Sequence, residues 1–338
     1  MLNIAILGLG TVGGGVAEVV EKNQAKIQKI LGQEVRVKYI LDIREFPGVK
    51  NLVNDINVIV NDPEVRVVCE TMGGKKPAYE YSRLALEHGI SVCTSNKELV
   101  DACGCELSEI AARNNCSYLF EASVGGGIPI LRTLREACAH EKISRVMGIL
   151  NGTCNYILTK MRSGSDFQSA LREAQENGFA ERNPAADVEG HDTARKIAIL
   201  ATLVSGKKFS YEQVHCNGIT QITQQDILDA EKNHATIKLL GMFDAEKSQI
   251  LVSPFIVPSN HALYNVNDVF NGILIHGNML GDVMFYGRGA GKLPTASAVV
   301  SDVIECLKNC GKNIPDGLEN LQPAEVSQIT TDEKILSL

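Results

Sequence analysis

Short apolar runs alternate with amphipathic stretches along the first 125 residues. Residues 3–7 (NIAIL) end in Gly8-Leu-Gly10-Thr-Val-Gly13, and a helical pattern follows through Val16, Val19, Val20, Ile27 and Ile30. The runs VRVKYILD (35–42), INVIVND (56–62), VRVVCETM (65–72), ISVCTSN (90–96) and CSYLFEAS (116–123) read as further buried strands, with helical stretches at 77–88 and 104–114. Strands alternating with helices predict an α/β fold built on a parallel, doubly wound sheet. Beyond residue 130 the rhythm changes. Helical segments at 127–139, 166–178 and 190–205, with strand-like pieces at 143–150 and 249–257, predict a second, α+β domain. A strong helix at 294–309 follows the glycine cluster 287–291 and is expected to pack back on the first domain.

Composition adds bounds. With 338 residues, 44% hydrophobic and 22% charged, the chain is ordinary globular protein, long enough for two domains. Lys and Arg total 33 against 40 Asp and Glu, a net charge of −7 that argues against a nucleic-acid partner. The ten cysteines form no paired CxxC zinc pattern and fall short of a disulfide scaffold, so they are expected as mostly reduced, buried thiols of a cytoplasmic protein. The N-terminus, MLNIAILGLGTVGGG, lacks a basic lead and runs into glycines, which reads as a strand and not a signal peptide. No apolar run approaches the roughly 18 residues that span a bilayer, so no membrane partner is expected.

The glycine loop carries the first chemical signal. G-x-G-x-x-G directly after a strand and opening a helix, with an acid at the end of the next strand, is the context of a dinucleotide-binding site. Gly8 permits the tight turn, Gly10 lets backbone approach a pyrophosphate, and Gly13 allows close helix–sheet packing. The helix start at Thr11, Val12 and Gly13 then presents free N–H groups to phosphate. Asp42 suits a ribose hydroxyl and favours NAD, whereas Arg44 suits the 2′-phosphate of NADP. The cofactor is therefore expected as NAD or NADP. This assigns residues 1–130, completed by the helix region 291–318, to a dinucleotide-binding domain. Residues 131–290 form a domain for substrate, catalysis and dimerisation, and 319–338, polar and weakly patterned, a loosely packed tail.

The second signal is GHDTARKIAIL (190–200). Asp192 and Lys196 are four residues apart on a helical pattern, and the same face continues into Leu200 and Leu203, so it points inward. A buried lysine is costly unless paired. Two readings fit: a structural ion pair, or an acid and a base set in the wall of a site.

Several segments together resemble homoserine dehydrogenase: TSNKELV (94–100), EASVGGGIPIL (121–131), GILNGTCNYIL (148–158), ENGFAERNPAADVEGHDTARKIAIL (176–200) and GRGAGKLPTASAV (287–299). The resemblance implies reversible hydride transfer between L-homoserine and L-aspartate 4-semialdehyde, in threonine, methionine and isoleucine biosynthesis. It implies Lys196 as general acid/base and Lys97 as a second active-site lysine. Glu181, Asp187 and Asp192 correspond to acids that hold substrate. Thr94 and Lys97 are expected beside the nicotinamide, with Gly291 closing over the cofactor. The EASVGGGIP loop is similar to a monovalent-cation site for Na⁺ or K⁺, formed by Glu121 with carbonyls of Val124, Gly126 and Ile128. A homodimer is the family's usual state. Members often carry a C-terminal regulatory domain or a preceding kinase segment; this sequence reads as the short, monofunctional form, without threonine feedback through such a domain.

The chemistry asks for such residues. Aldehyde reduction needs a proton for the developing alkoxide, and a lysine in a desolvated cleft can supply it and stabilise the charge. A zwitterionic amino-acid substrate needs both acids and cations around it. His191 and Cys154 are not needed: Lys fills the acid/base role, and nothing near Cys154 in sequence activates a thiolate. Glu189 reads as an acid complementing a helix dipole. Two rivals stand beside this reading. One is a dehydrogenase for a related amino-acid aldehyde, and the other a catalytically silent NAD(P)-binding sensor on the same scaffold.

Overall fold

A computed structural model describes residues 1–327, 329 and 333–338. It divides into two compact units, Met1–Arg135 with Ala290–Leu321, and Glu136–Gly289 with Gln322–Leu338.

The first unit opens β1 (Leu2–Leu7), α1 (Thr11–Lys22), α2 (Gln24–Leu31), β2 (Val35–Leu41), β3 (Leu52–Val53) and α3 (Ile56–Val60). It continues through β4 (Val65–Glu70), α4 (Ala78–Glu87), β5 (Ser91–Thr94), α5 (Lys97–Arg113), β6 (Tyr118–Leu119) and a short α6 (Ile130–Arg132). All strand pairs are parallel, in the order β3-β2-β1-β4-β5-β6. This is the Rossmann-type doubly wound order, and its switch point lies between β1 and β4. Both faces of the strands are buried, which explains their near-continuous apolar runs. Ile4, Ile6, Val16, Val67 and Leu119 share one core.

The second unit holds β7 (Ile143–Ile149), α7 (Gly152–Arg162), α8 (Phe167–Glu176), α9 (Ala185–Val188), α10 (His191–Ser205) and β8 (His215–Cys216). It goes on with α11 (Gln224–Lys232), β9 (Ala235–Asp244), β10 (Gln249–Pro258), β11 (Phe270–Gly277) and β12 (Gly281–Arg288). The chain then returns to the first unit as α12 (Lys292–Lys308) and ends in the second with β13 (Leu336–Ser337). The seven-stranded mixed sheet runs β12-β11-β7-β9-β10-β13, with β8 also on β10. Helix α10 packs on β7, β9 and β10. Gly241 of β9 permits this: a Cβ there would lie 3.1 Å from both Ile197 and Thr193 side-chain carbons.

Helix α12 packs on α1. A Cβ on Gly15 would meet Lys292 O at 2.8 Å and Ala296 Cβ at 2.9 Å, so the glycine after the loop sets how closely the helices cross.

The structure departs from the sequence reading at five places. INVIVND is not a strand: Ile56–Val60 is helical, started by the Asp55 carboxylate accepting Asn57 N–H at 2.9 Å. A five-residue apolar run fits either state, and the cap decides. The pattern through Ile30 is two helices, broken at Asn23. The strand expected over 116–123 shrinks to Tyr118–Leu119 before a 3₁₀ turn at Glu121–Ser123. The helix expected over 127–139 becomes α6 and a π turn at Thr133–Ala137. In the segment read as a loose tail, Leu336 and Ile329 pack against the second core, and Leu336–Ser337 pairs with β10. Residues 328 and 330–332 of it lie outside the described residues.

Candidate active site

The glycine loop closes the carboxyl end of β1. Gly8 has φ +90°, and a Cβ on Gly13 would lie 2.0 Å from Gly8 O and 2.7 Å from Thr71 Oγ1. Thr71 clamps the turn from below, its hydroxyl within 3.0 Å of Leu7 O and 2.9 Å of Gly8 O. By contrast, a Cβ on Gly10 would meet nothing within 4 Å; that face is open. Gly10 caps α1 without a side-chain acceptor, so the α1 amides at Thr11, Val12 and Gly13 face outward without a capping group.

Beside the loop is a cavity of about 350 Å³ lined by Gly8, Gly10, Asp42, Arg44, Met72 and Pro77, among others. Asp42 is buried, and its carboxylate accepts Leu9 N–H at 2.8 Å. The exposed Arg44 guanidinium grips the same carboxylate through Nε at 2.9 Å and Nη2 at 2.8 Å. That pairing holds the Asp42 carboxyl well below its usual range. The two residues expected as alternatives are thus one bonded pair.

At the next strand ends, Thr94 is fully buried; its hydroxyl donates to Glu70 and accepts Asn96 N–H at 2.9 Å. Burial pushes the Glu70 carboxyl up to about 7. Asn96 caps α5 by accepting Leu99 N–H, which sets half-buried Lys97 at the first helical position. Gly291, at φ +125°, caps α12.

Glu121 is buried, and burial raises its carboxyl. Its oxygens accept Leu131 N–H at 3.0 Å and Arg132 N–H at 2.6 Å. Gly125 and Gly126, at φ +74° and +54°, turn the chain through Val124 to Ile128 as only glycine does readily. One carboxylate with neutral carbonyls is a hard-oxygen donor set, and each Glu121 oxygen keeps a further lone pair, so these residues fit a small hard cation. Among the described residues no cluster of three or more His, Cys, Asp or Glu is suited to a metal ion.

In the second unit, Gly190 at φ +89° starts α10, and the helix buries Asp192 and Lys196. Lys196 Nζ donates to Asp192 Oδ2 at 2.7 Å and to Leu150 O at 2.7 Å. Asn151, which caps α7 by accepting Cys154 N–H at 2.8 Å, donates from Nδ2 to Asp187 Oδ1 at 2.7 Å and Asp192 Oδ2 at 2.8 Å. Asp192 and Lys196, both buried, and the half-buried Asp187 therefore share one network around an asparagine. The sequence reading missed Asn151 as a site residue, although Asn before Gly-Thr at a strand end is a cap signal. The Leu150 carbonyl has no side-chain signal at all.

Glu181 is exposed; its carbonyl accepts from Gln175, and among the described residues its carboxylate forms no hydrogen bond or ion pair with this network. His191 is held by Glu189 at 3.2 Å and the Tyr211 hydroxyl at 2.9 Å. Cys154 is fully buried, donates to Asp187 O at 3.1 Å, and has its thiol raised well above the usual value by burial and the neighbouring acids. It is no thiolate nucleophile. All ten cysteines are free thiols, and among the described residues no helix is long and apolar enough to cross a membrane.

Comparison with known proteins gives concordant matches. Residues 8–121 match the homoserine dehydrogenase NAD binding domain and 129–304 the homoserine dehydrogenase family domain. A homoserine dehydrogenase of Bacillus subtilis (strain 168) is 42% identical over 317 residues, covering 91% of this chain and 73% of the relative. Among solved structures, a homoserine dehydrogenase from Thiobacillus denitrificans superposes with a TM-score of 0.87 at 37% identity, over 91% of this chain and 73% of that one. A hyperthermophilic archaeal homoserine dehydrogenase in complex with NADPH gives 0.78 at 29% identity, over 90% of this chain and 97% of that one.

Proposed function

The chain belongs to the homoserine dehydrogenase family, and we propose how its residues divide the work of interconverting L-homoserine and L-aspartate 4-semialdehyde. It is an NAD(P)-dependent oxidoreductase acting on a CH–OH group. When bound, NAD(P) supplies the hydride acceptor or donor. The α1 amides and the open face at Gly10 receive the pyrophosphate, while the Asp42–Arg44 pair meets the ribose and offers either a carboxylate to a 2′-hydroxyl or a guanidinium to a 2′-phosphate. Lys97 and the backbone of Thr94 stand at the nicotinamide end; the Thr94 side chain itself braces Glu70 and Asn96.

Lys196 carries the proton. In oxidation its Nζ takes the proton of the homoserine hydroxyl, and in reduction it returns a proton to the aldehyde oxygen, after first stabilising the alkoxide by charge. Asp192 and Leu150 O hold Nζ in place, and Asp187 with the loop acid Glu181 receives the substrate ammonium. The observation that carries this reading is a buried lysine held in a network of two carboxylates, an amide and a carbonyl. Such a network is costly to keep unless the reaction uses it.

The turn from Glu121 to Ile128 holds a monovalent cation through Glu121 and the carbonyls of Val124, Gly126 and Ile128. The protein acts as a homodimer, for which edge strand β12, with Met279, Leu280 and Tyr286 exposed about it, offers a surface. Its free thiols fit a reducing cytoplasm. The test is turnover of L-homoserine by the purified protein with NAD and NADP in turn, followed by nicotinamide absorbance. Homoserine-dependent reduction is expected; cofactor binding without turnover would overturn the proposal in favour of a sensor.

A further inference from the structure

We infer that Asn151 is a positioning residue of this reaction, its carboxamide holding Asp187 and Asp192 together as one anionic acceptor beside Lys196. This rests on the reading of Lys196 as proton carrier. Both protons of Asn151 Nδ2 are committed, one to Asp187 Oδ1 at 2.7 Å and one to Asp192 Oδ2 at 2.8 Å. The second of these oxygens also accepts from Lys196 Nζ at 2.7 Å. The acids belong to different helices, α9 and α10, and like charges so placed repel unless a donor stands between them.

Capping α7 does not by itself call for asparagine, since Asp, Ser and Thr cap as well. What they cannot do is give two protons to two carboxylates while an oxygen of the same side chain accepts a backbone N–H. Asn151 is 5% exposed and its bond to Asp192 is buried, while Asp187 at the other end is half-buried. Among the described residues, the thiol of Cys154 faces both acids and Lys196, with Cys216 next to it, and burial raises both thiols.

The test is Asn151→Asp, which keeps the shape and the α7 cap but replaces the donor with a third carboxylate oxygen. In homoserine oxidation Lys196 must be without its proton to accept one, and added negative charge holds that proton. The rising limb of kcat/KM against pH is expected to move up by about one unit, lowering kcat/KM on that limb about tenfold. Tm is expected to fall as well, since two donors to carboxylates are lost and a third negative charge is added. Asn151→Ser, which caps without adding charge, serves if the first variant does not fold; it should lower kcat and move the limb the same way by less. Wild-type kcat and limb position in the folded variants would reduce Asn151 to a helix cap and overturn the inference. Lys196→Ala in the otherwise wild-type chain separates the two claims. Undiminished turnover there overturns the proton-carrier reading. Lost turnover there, with an unmoved limb in the Asn151 variants, overturns the positioning claim alone.

Discussion

Replacing Asp192 by Leu leaves the Lys196 ammonium in a pocket where its side chain is 9% exposed, with Leu150 O its remaining partner in the pair's hydrogen bonding. Two charge-assisted hydrogen bonds to Asp192 Oδ2 vanish, from Lys196 and from Asn151, each worth about 1.5–3 kcal/mol. Leucine returns some apolar contact, so the net loss should fall at about 3–5 kcal/mol, the usual cost of breaking a buried pair. Lys196→Met should cost a similar amount by removing the counter-charge of the buried acid, which keeps its bond from Asn151. The double variant, Asp192→Leu with Lys196→Met, removes both charges and should come back to within about 2 kcal/mol of wild type, because paired buried charges contribute little net stability. Urea unfolding followed by circular dichroism, with hydrogen exchange in α10 to isolate the second unit, measures all three. The double variant should be stable and inactive, separating fold from chemistry. Additive losses in the double variant, or a loss under about 1 kcal/mol for Asp192→Leu, would refute the picture of a desolvated, coupled pair.

Three other outcomes follow from the same geometry. Gly13→Ala forces a Cβ to within 2.0 Å of Gly8 O, so it should cost about 1–3 kcal/mol in melting experiments and abolish cofactor binding; Gly10→Ala, with open space around it, should weaken binding by calorimetry while leaving Tm unchanged. Arg44→Ala should lower NADP affinity about tenfold relative to NAD, roughly 1.4 kcal/mol, and Asp42→Ala should tilt the choice the other way, read from the two Kd values. Asp316, fully enclosed and raised by burial to about 8, holds its proton in the folded state at pH values where the unfolded chain has lost it. Stability should therefore fall as pH rises from about 4 to 8, with a slope of up to about 1.4 kcal/mol per unit from this group, and flatten above. Asp316→Asn should remove that slope in pH-dependent melts.

Much of the first unit was legible because its physics is local. Buried parallel strands write apolar runs, and a strand–glycine–helix junction writes its own turn. INVIVND shows the limit: its apolar residues satisfy both faces of a buried strand and the inner face of one helical turn, and Asp55 alone tips it. Asp192 and Lys196 were legible because they are four apart on one helix. Asn151 and Leu150 O, from the β7–α7 junction, reach the same place only through tertiary folding, so no spacing announces them. Asp187 and Glu181 stood in one sequence block, yet the structure bonds the first into the network and leaves the second on an exposed loop.

The most direct test of the account is chemical rescue of Lys196→Ala in homoserine oxidation. Removing the proton carrier should lower kcat about 10²–10⁴-fold while the cofactor Kd stays as in wild type. Methylamine, added as a free base able to enter the space left, should then restore turnover in proportion to its concentration. A variant that turns over like wild type without the amine would contradict the assignment of Lys196.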